Sequence, residues 1–356
     1  MLGDTLKDLP RSTTNQLITR IESLSTHPTH QSVVQTALKE ALSTWQEEPT
    51  ANSLVILGKP IERISQTLQE SLITWQPEAW QIINPLPESI QLTEPSAITA
   101  QLKQVFEKQL EQKHSSKRQI VVIPDLSWYF LRCVQGWDGV TYLRDLVTRE
   151  QSRFWLIGCN QWTWKYLSYV CQIDAYFEQL QQLPVVNSEE LQAWLTPIIE
   201  EIAIDFSEDE STKNEQKDKS QPYFERIEDL SLGISAVAAQ LWISSLKYLP
   251  SDPEASPMEE ENSGTIQPTS VTLPDLPKLT ADDRYLLFSL LLHGQINLPC
   301  LALSLGEAES IVQGQVQVLL RSGVIWRRRQ LLMVNPAHYP RLRWELTHNN
   351  FFIEED

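Results

Sequence analysis

Apolar positions recur with two different periods along this chain, and the change between them divides it. Residues 11–48 carry the helical period. Leu17, Ile18, Ile21 and Leu24 share one face, and Val33, Val34, Ala37, Leu38, Ala41, Leu42 and Trp45 share another, with Ser32 as the expected cap. His27-Pro28-Thr29-His30 reads as an exposed turn between two helices. From Ser53 short apolar runs alternate with helical stretches. Strands are expected at Leu54–Leu57, Trp80–Ile83, Gln119–Ile123 and Phe154–Ile157. Helices are expected at Ile64–Trp75, Ser96–Glu111, Val140–Val147 and Trp162–Val170. Runs that are apolar at every position suit strands buried on both faces. Their alternation with helices predicts βαβ units and a parallel sheet.

A further helix, capped by Asn187 or Ser188, runs through Leu195. Residues 207–221 are too polar to pack and read as a disordered acidic insertion. Pro222–Leu249 is expected to be helical, and 251–277, rich in Pro, Ser and Glu, to be a linker. Helices then follow at Ala281–Leu292, Leu298–Leu305 and Glu309–Ser322, with Gly323 ending the last. Val324–Arg328 and Gln330–Val334 can pair as a hairpin, and Tyr339–Phe352 can form a final helix. Helices followed by such a hairpin suggest a winged helix. The expected organisation is N-terminal helices over 1–50, an α/β domain over 51–206, the insertion, a helical lid over 222–250, the linker, and a winged-helix domain over 278–356.

Composition narrows the classes. The chain has 356 residues, enough for more than one domain, and 41% are hydrophobic, enough for a sizeable core. The formal charge of −17 opposes general nucleic-acid binding, because phosphate is repelled by such a surface. The charge is uneven, however. Ile311–Trp344 holds six Arg (Arg321, Arg327, Arg328, Arg329, Arg341 and Arg343) and no acid. Cys133, Cys159, Cys171 and Cys300 match no zinc spacing, and the start of the chain lacks a signal-peptide core, so reduced thiols in a cytoplasmic protein are expected. No run approaches the roughly twenty apolar residues of a membrane span.

Candidate chemistry centres on the segment after the first strand of the α/β region. A phosphate-binding loop reads G-x-x-x-x-G-K-[ST] between strand and helix. Here Gly58 fills the first place and Ser65 the last, but Arg63 stands at the second Gly and Ile64 at the Lys. Lys59 follows Gly58 directly, and Glu62 brings a carboxylate to the place of the phosphates. A later strand ends at Pro124-Asp125, and another at Gly158-Cys159-Asn160. Asp125 has no second acid beside it to act as a general base, and it also suits a turn or cap. Cys159 has no nearby His to activate it.

With these residues in place, residues 53–250 resemble the P-loop ATPases of the AAA+ and STAND type, in a divergent form, from the loop through the two polar strand ends to the helical lid. The resemblance implies a parallel P-loop-type sheet covered by helices, then a helical lid and a C-terminal winged-helix domain. It implies that Gly58, Lys59, Arg63, Ser65, Asp125 and Asn160 are what is left of a nucleotide site, with Asp125 at the Mg²⁺-binding place and Asn160 at the sensor of the γ-phosphate. The departures at Arg63 and Ile64, and the lack of an Arg in the lid beyond Arg226, lead to the expectation of a protein that does not hydrolyse ATP. No resident cofactor or metal is expected, with Mg·ATP kept as the alternative ligand.

The expected function is a scaffold or regulatory subunit that contacts another protein, as a monomer or in a hetero-complex. Exposed aromatics between Trp128 and Trp137, or the Arg-rich wing on a flexible tether, are the expected contacts. Two alternatives stand beside it. One is a DNA-binding regulator using Gln313, Gln317 and Arg321 of the 309–322 helix with Arg327, Arg328 and Arg329 of the wing. The other is weak ATP binding in which Arg63 or Lys59 replaces the missing Lys.

Overall fold

The computed structural model describes residues 6–75, 80–84, 95–110, 118–202, 204, 206, 220–250 and 264–351. In chain order the elements are β1 Lys7–Asp8, α1 Arg11–Ser23, α2 Pro28–Glu47, β2 Ser53–Gly58, α3 Ile64–Trp75, β3 Trp80–Ile83, α4 Pro95–Leu110, β4 Arg118–Ile123, α5 Asp138–Arg149, β5 Phe154–Asn160, α6 Gln161–Cys171 and β6 Leu180–Gln182. They continue as α7 Ser188–Glu201, α8 Ser220–Ser231, α9 Ser235–Ser245, β7 Leu246–Pro250, β8 Gly264–Pro268, α10 Ala281–His293, β9 Ile296–Asn297, α11 Leu298–Leu305, α12 Glu309–Arg321, β10 Ile325–Arg328, β11 Leu331–Val334 and α13 Tyr339–His348.

The chain divides into two compact units. The larger holds residues 26–184 and 276–356. Its sheet is parallel throughout, in the order β3-β4-β5-β2-β6. Every residue of β2 and β5 is buried, as two-sided burial of a central strand demands. One layer of core joins Val34, Leu38, Leu42 and Trp45 of α2 to Leu54 and Ile56 of β2, Ile64, Leu68 and Leu72 of α3, and Phe154 and Leu156 of β5. Each such side chain contributes about 1.5–3 kcal/mol by leaving water. The C-terminal part of this unit packs α10, α11 and α12 beside a three-stranded sheet in the order β10-β11-β9, which is the winged-helix form. Its hairpin runs from Ile325↔Val334 to Arg328↔Leu331.

The smaller unit holds residues 1–25 and 185–275. It packs α1 and α7–α9 with an antiparallel sheet in the order β1-β7-β8. Asn187 and Glu190 form a capping box that starts α7.

Several expectations are corrected. The 222–250 segment is helical over α8 and α9 but not to its end. Leu232 and Gly233, at positive φ values of 58° and 64°, turn the chain between the two helices, and Leu246–Pro250, expected as helix, is strand β7. The stretch expected as a linker over 251–277 contains β8, which pairs with β7; 251–263 lies outside the described residues. Of the insertion, Ser220 and Gln221 open α8, and 207–219 lies outside the described residues. The helices expected together in 1–50 are shared out, α1 to the smaller unit and α2 to the larger. Helix α2 begins at Pro28 and not at Ser32: the His27 ring accepts from Thr29 N–H and caps it. His27 and His30 are therefore buried, not exposed, and His30 Nε2 meets the Pro184 carbonyl at 2.9 Å. The aromatics between Trp128 and Trp137 are not an exposed patch either: Tyr129 and Phe130 are fully buried, and both Trp are half-buried.

Candidate functional site

The chain leaves β2 at Gly58 and turns at once. Glu62 N–H donates to the Lys59 carbonyl at 3.1 Å, with Pro60 second in the turn and Ile61 third at φ 79°. That is the pattern of a type II turn, whose third place favours Gly. A β-branched residue there is strained, by roughly 1–2 kcal/mol. Ile64 N–H donates to the Glu62 carbonyl at 3.0 Å. Two amides that a phosphate cradle would aim at its ligand are thus used inside the loop. The Arg63 carbonyl accepts from Thr67 N–H at 2.9 Å and from Thr67 Oγ1 at 3.0 Å, which starts α3.

Ile64 stands where a phosphate loop places its Lys, and it points into the core. It is 1% exposed. A Cβ added to Gly58 would lie 2.7 Å from Ile64 Cγ1, and one added to Gly158 would lie 2.7 Å from Ile64 Cγ2. The glycines on β2 and β5 thus leave the room that Ile64 fills. Ser65, next along, is half-buried on the first turn of α3. Lys59 and Arg63 are half-buried as well.

Asp125 follows β4. Its Oδ1 accepts from Ser127 N–H at 2.9 Å and caps a short 3-10 turn, Leu126–Tyr129. Burial raises its pKa to about 6, against the hydrogen bonds from Ser127. The neighbouring Tyr129 hydroxyl and Cys159 thiol are both pushed up, by burial first and by the Asp125 charge second. A thiol held in that state is a poor nucleophile. All four Cys are free.

Asn160 ends β5, in register with Gly58 on β2. Its Oδ1 accepts from Thr163 N–H at 2.8 Å and caps α6. Its Nδ2 donates to the carbonyls of Leu291 at 3.3 Å and Leu292 at 3.1 Å, in the last turn of α10. Thr163 Oγ1 donates to the same Leu292 carbonyl, and Ser127 Oγ makes a long bond of 3.5 Å to the His293 carbonyl. A helix leaves its last carbonyls without partners, and here the sheet's polar ends supply them. His293 closes the seam. Its Nε2 accepts from Arg132 N–H at 3.4 Å and its ring lies 4.6 Å from that of Phe130. Burial lowers its pKa to about 4, so it is neutral near pH 7.

The remnant residues therefore do converge, at the carboxyl ends of β2, β4 and β5, where open α/β sheets bind ligands. What Asn160 meets there, with Thr163 and Ser127 beside it, is the C-terminal end of α10. Carbonyls and the negative end of a helix dipole attract donors and cations, not phosphate. The winged helix is consequently not on a flexible tether from the α/β domain, because this seam holds it. Sequence reading missed Thr163, Ser127, His293 and Ile61. Only Thr163, three residues after a capping Asn, carried a local signal.

The residues expected to contact DNA or a partner lie apart from this seam by their exposure. Gln313, Arg321, Arg327, Arg328 and Arg329 are exposed, and Gln317 is half-buried. Arg329 turns the hairpin at φ 54°, and Arg328 stacks over Trp326 at 5.4 Å. Among the described residues no cluster of His, Cys, Asp and Glu could hold a metal ion, and no helix is long and apolar enough to cross a membrane.

No family model and no curated protein matches the sequence. Solved structures match over most of its length. Cdc6p from Pyrobaculum aerophilum is 10% identical, with 91% of this chain and 95% of that chain covered and a TM-score of 0.39. The RuvB Holliday junction branch migration motor of Thermotoga maritima is 14% identical, with 90% and 95% covered and a TM-score of 0.33. A Walker-type ATPase of Pyrococcus abyssi is 12% identical, with 87% and 94% covered and a TM-score of 0.37. No residue role passes from them to this chain.

Proposed function

We propose that this chain is a non-catalytic relative of AAA+ and STAND ATPases, a scaffold or regulatory subunit that works through contacts with another protein. One observation carries the reading: Ile64, at the place of the phosphate-binding Lys, is buried between Gly58 and Gly158 as part of the core. The fold can keep its strand–loop–helix corner with no ligand, because an aliphatic side chain fills it. The use of Asn160 as a double cap supports the same reading, since the residue at the sensor place is engaged by α10. The test is a titration of the purified chain with Mg·ATP, followed by a turnover assay. Neither micromolar binding nor hydrolysis is expected. Tight binding with Mg²⁺-dependent hydrolysis overturns the reading, and weak binding lost on Arg63→Ala or Lys59→Ala would favour an unusual nucleotide site instead.

A DNA-binding role is the second reading, and the exposed Arg327, Arg328 and Arg329 favour it. It predicts a salt-dependent shift of duplex DNA that disappears when all three become Ala. No binding at low salt would end it.

A further inference from the structure

Helix α12 carries an apolar face that the other described residues leave exposed. Ile311 and Val318 are 53% and 61% exposed. Gly314 lies between them, and a Cβ placed there would meet nothing within 4 Å. Positions 311, 314, 318 and 321 fall within one arc of about 80° at 100° per residue. The stripe therefore reads Ile311, Gly314, Val318 and ends in exposed Arg321. The opposite face, Val312, Val316 and Leu319, is the one that is buried. Arg327 and Arg329 follow in the hairpin whose first strand packs against α12.

We infer that this stripe and the Arg-rich wing together form a docking surface for an acidic amphipathic helix of a partner protein. The inference rests on the scaffold reading and names the kind of partner. Ile311 and Val318 match the apolar face of such a helix. Gly314 leaves a dimple in which one of its side chains can touch backbone. Arg321, Arg327 and Arg329 meet its carboxylates. Charge gives the surface its selectivity. The chain as a whole carries −17, so an acidic segment is repelled elsewhere and drawn to the stretch without acids. Polarity fixes the direction of docking, because Glu307 and Glu309 are exposed at the start of α12 and Arg321 at its end. The partner's carboxylates therefore gather towards the Arg321 end. Nucleic acid fits the same surface less well. Base edges and phosphates are polar, whereas the most exposed face of α12 is aliphatic and its entrance is acidic.

The experiment uses the full chain and three fluorescent probes. The first is a Leu/Glu amphipathic peptide of about 18 residues, five helical turns. The second is the same peptide with Lys for Glu, and the third is a DNA duplex of about 20 base pairs, two helical turns. The Leu/Glu peptide should bind at least about 10-fold more tightly than either of the others. Val318→Asp should weaken it about 10-fold or more, and Arg327→Ala with Arg329→Ala should weaken it and flatten its salt dependence. These residues are exposed, so the variants should keep the wild-type unfolding transition. Equal binding of the Lys peptide, tighter binding of the duplex, or indifference to Val318→Asp overturns the surface and leaves the scaffold reading standing. ATP hydrolysis by the same sample does the reverse.

Discussion

Ile64 occupies the space that a side chain on Gly58 would need: a Cβ at Gly58 would stand 2.7 Å from Ile64 Cγ1 and 2.8 Å from Cδ1. The two positions are coupled through volume, which makes the coupling measurable. Gly58→Ala should cost about 1–3 kcal/mol by overpacking. Ile64→Ala should cost about 2–5 kcal/mol by leaving a cavity. The double variant should cost clearly less than the sum, because the added methyl enters the emptied space. Urea unfolding of the four proteins checks this, and strict additivity would refute the packing described for the loop.

The seam at Asn160 gives a second contrast. Asn160→Ala removes the cap on α6, worth about 1 kcal/mol, and leaves the Leu291 and Leu292 carbonyls short of a donor. The Leu292 carbonyl keeps its bond from Thr163 Oγ1, and the unsatisfied Leu291 carbonyl adds about 1–3 kcal/mol unless water compensates. Asn160→Asp keeps the acceptor for Thr163 N–H but turns a carboxylate on the end of α10, so it should be at least as destabilising. Amide exchange across Ala281–His293 should quicken in both, and quicken more than in α12. An Asp variant as stable as wild type would show that the Nδ2 bonds contribute nothing.

How much of this was readable beforehand depends on whether the signal is local. Helices α3 and α11 begin and end where their periodicity says, because apolar spacing and caps lie within each segment. Strand β6 escaped, since Leu180-Gln181-Gln182 has no apolar run and exists through its ladder to β2. The sheet β1-β7-β8 escaped for a related reason: Lys7 pairs with Tyr248, far along the chain. At the site, Gly58 and Asn160 lie in register because strand ends are visible in sequence. The partners of Asn160 in α10 were not visible, because they are backbone carbonyls, to which every residue type contributes alike. His27 and His30 misled by composition, since a polar turn reads as exposed until its ring nitrogens are given buried partners.

Two titrating groups near the seam should pull stability in opposite directions with pH. Asp125 has its pKa raised from 3.8 to about 6, so the folded state holds the proton more tightly. Its contribution is fully present below pH 3.8 and is lost as pH rises through about 6. His293 has its pKa lowered from 6.5 to about 4, so its contribution is present above pH 6.5 and is lost as pH falls through about 4. Between these limits the two slopes largely cancel, each being at most about 1.4 kcal/mol per pH unit. Asp125→Asn should therefore gain stability over wild type as pH goes from 4 to 7. His293→Gln should gain over wild type as pH goes from 7 to 4. Parallel curves for either variant and wild type would remove that residue from the balance.

Gly314 separates stability from function most cleanly. It sits in the middle of α12, where Gly costs about 0.5–1 kcal/mol relative to Ala through the freedom it gives the unfolded chain. A Cβ there meets nothing within 4 Å, and its φ is not in the left-handed region, so Gly314→Ala carries no steric cost in the chain itself. The variant should be more stable by about that amount. If the dimple receives a partner's side chain, the same substitution should weaken binding of the Leu/Glu peptide. Gly314→Leu should abolish it, because the larger side chain fills the contact point between Ile311 and Val318. Higher stability joined to weaker binding is the expected pair of results. Higher stability with unchanged binding would mean that the glycine has no role in docking.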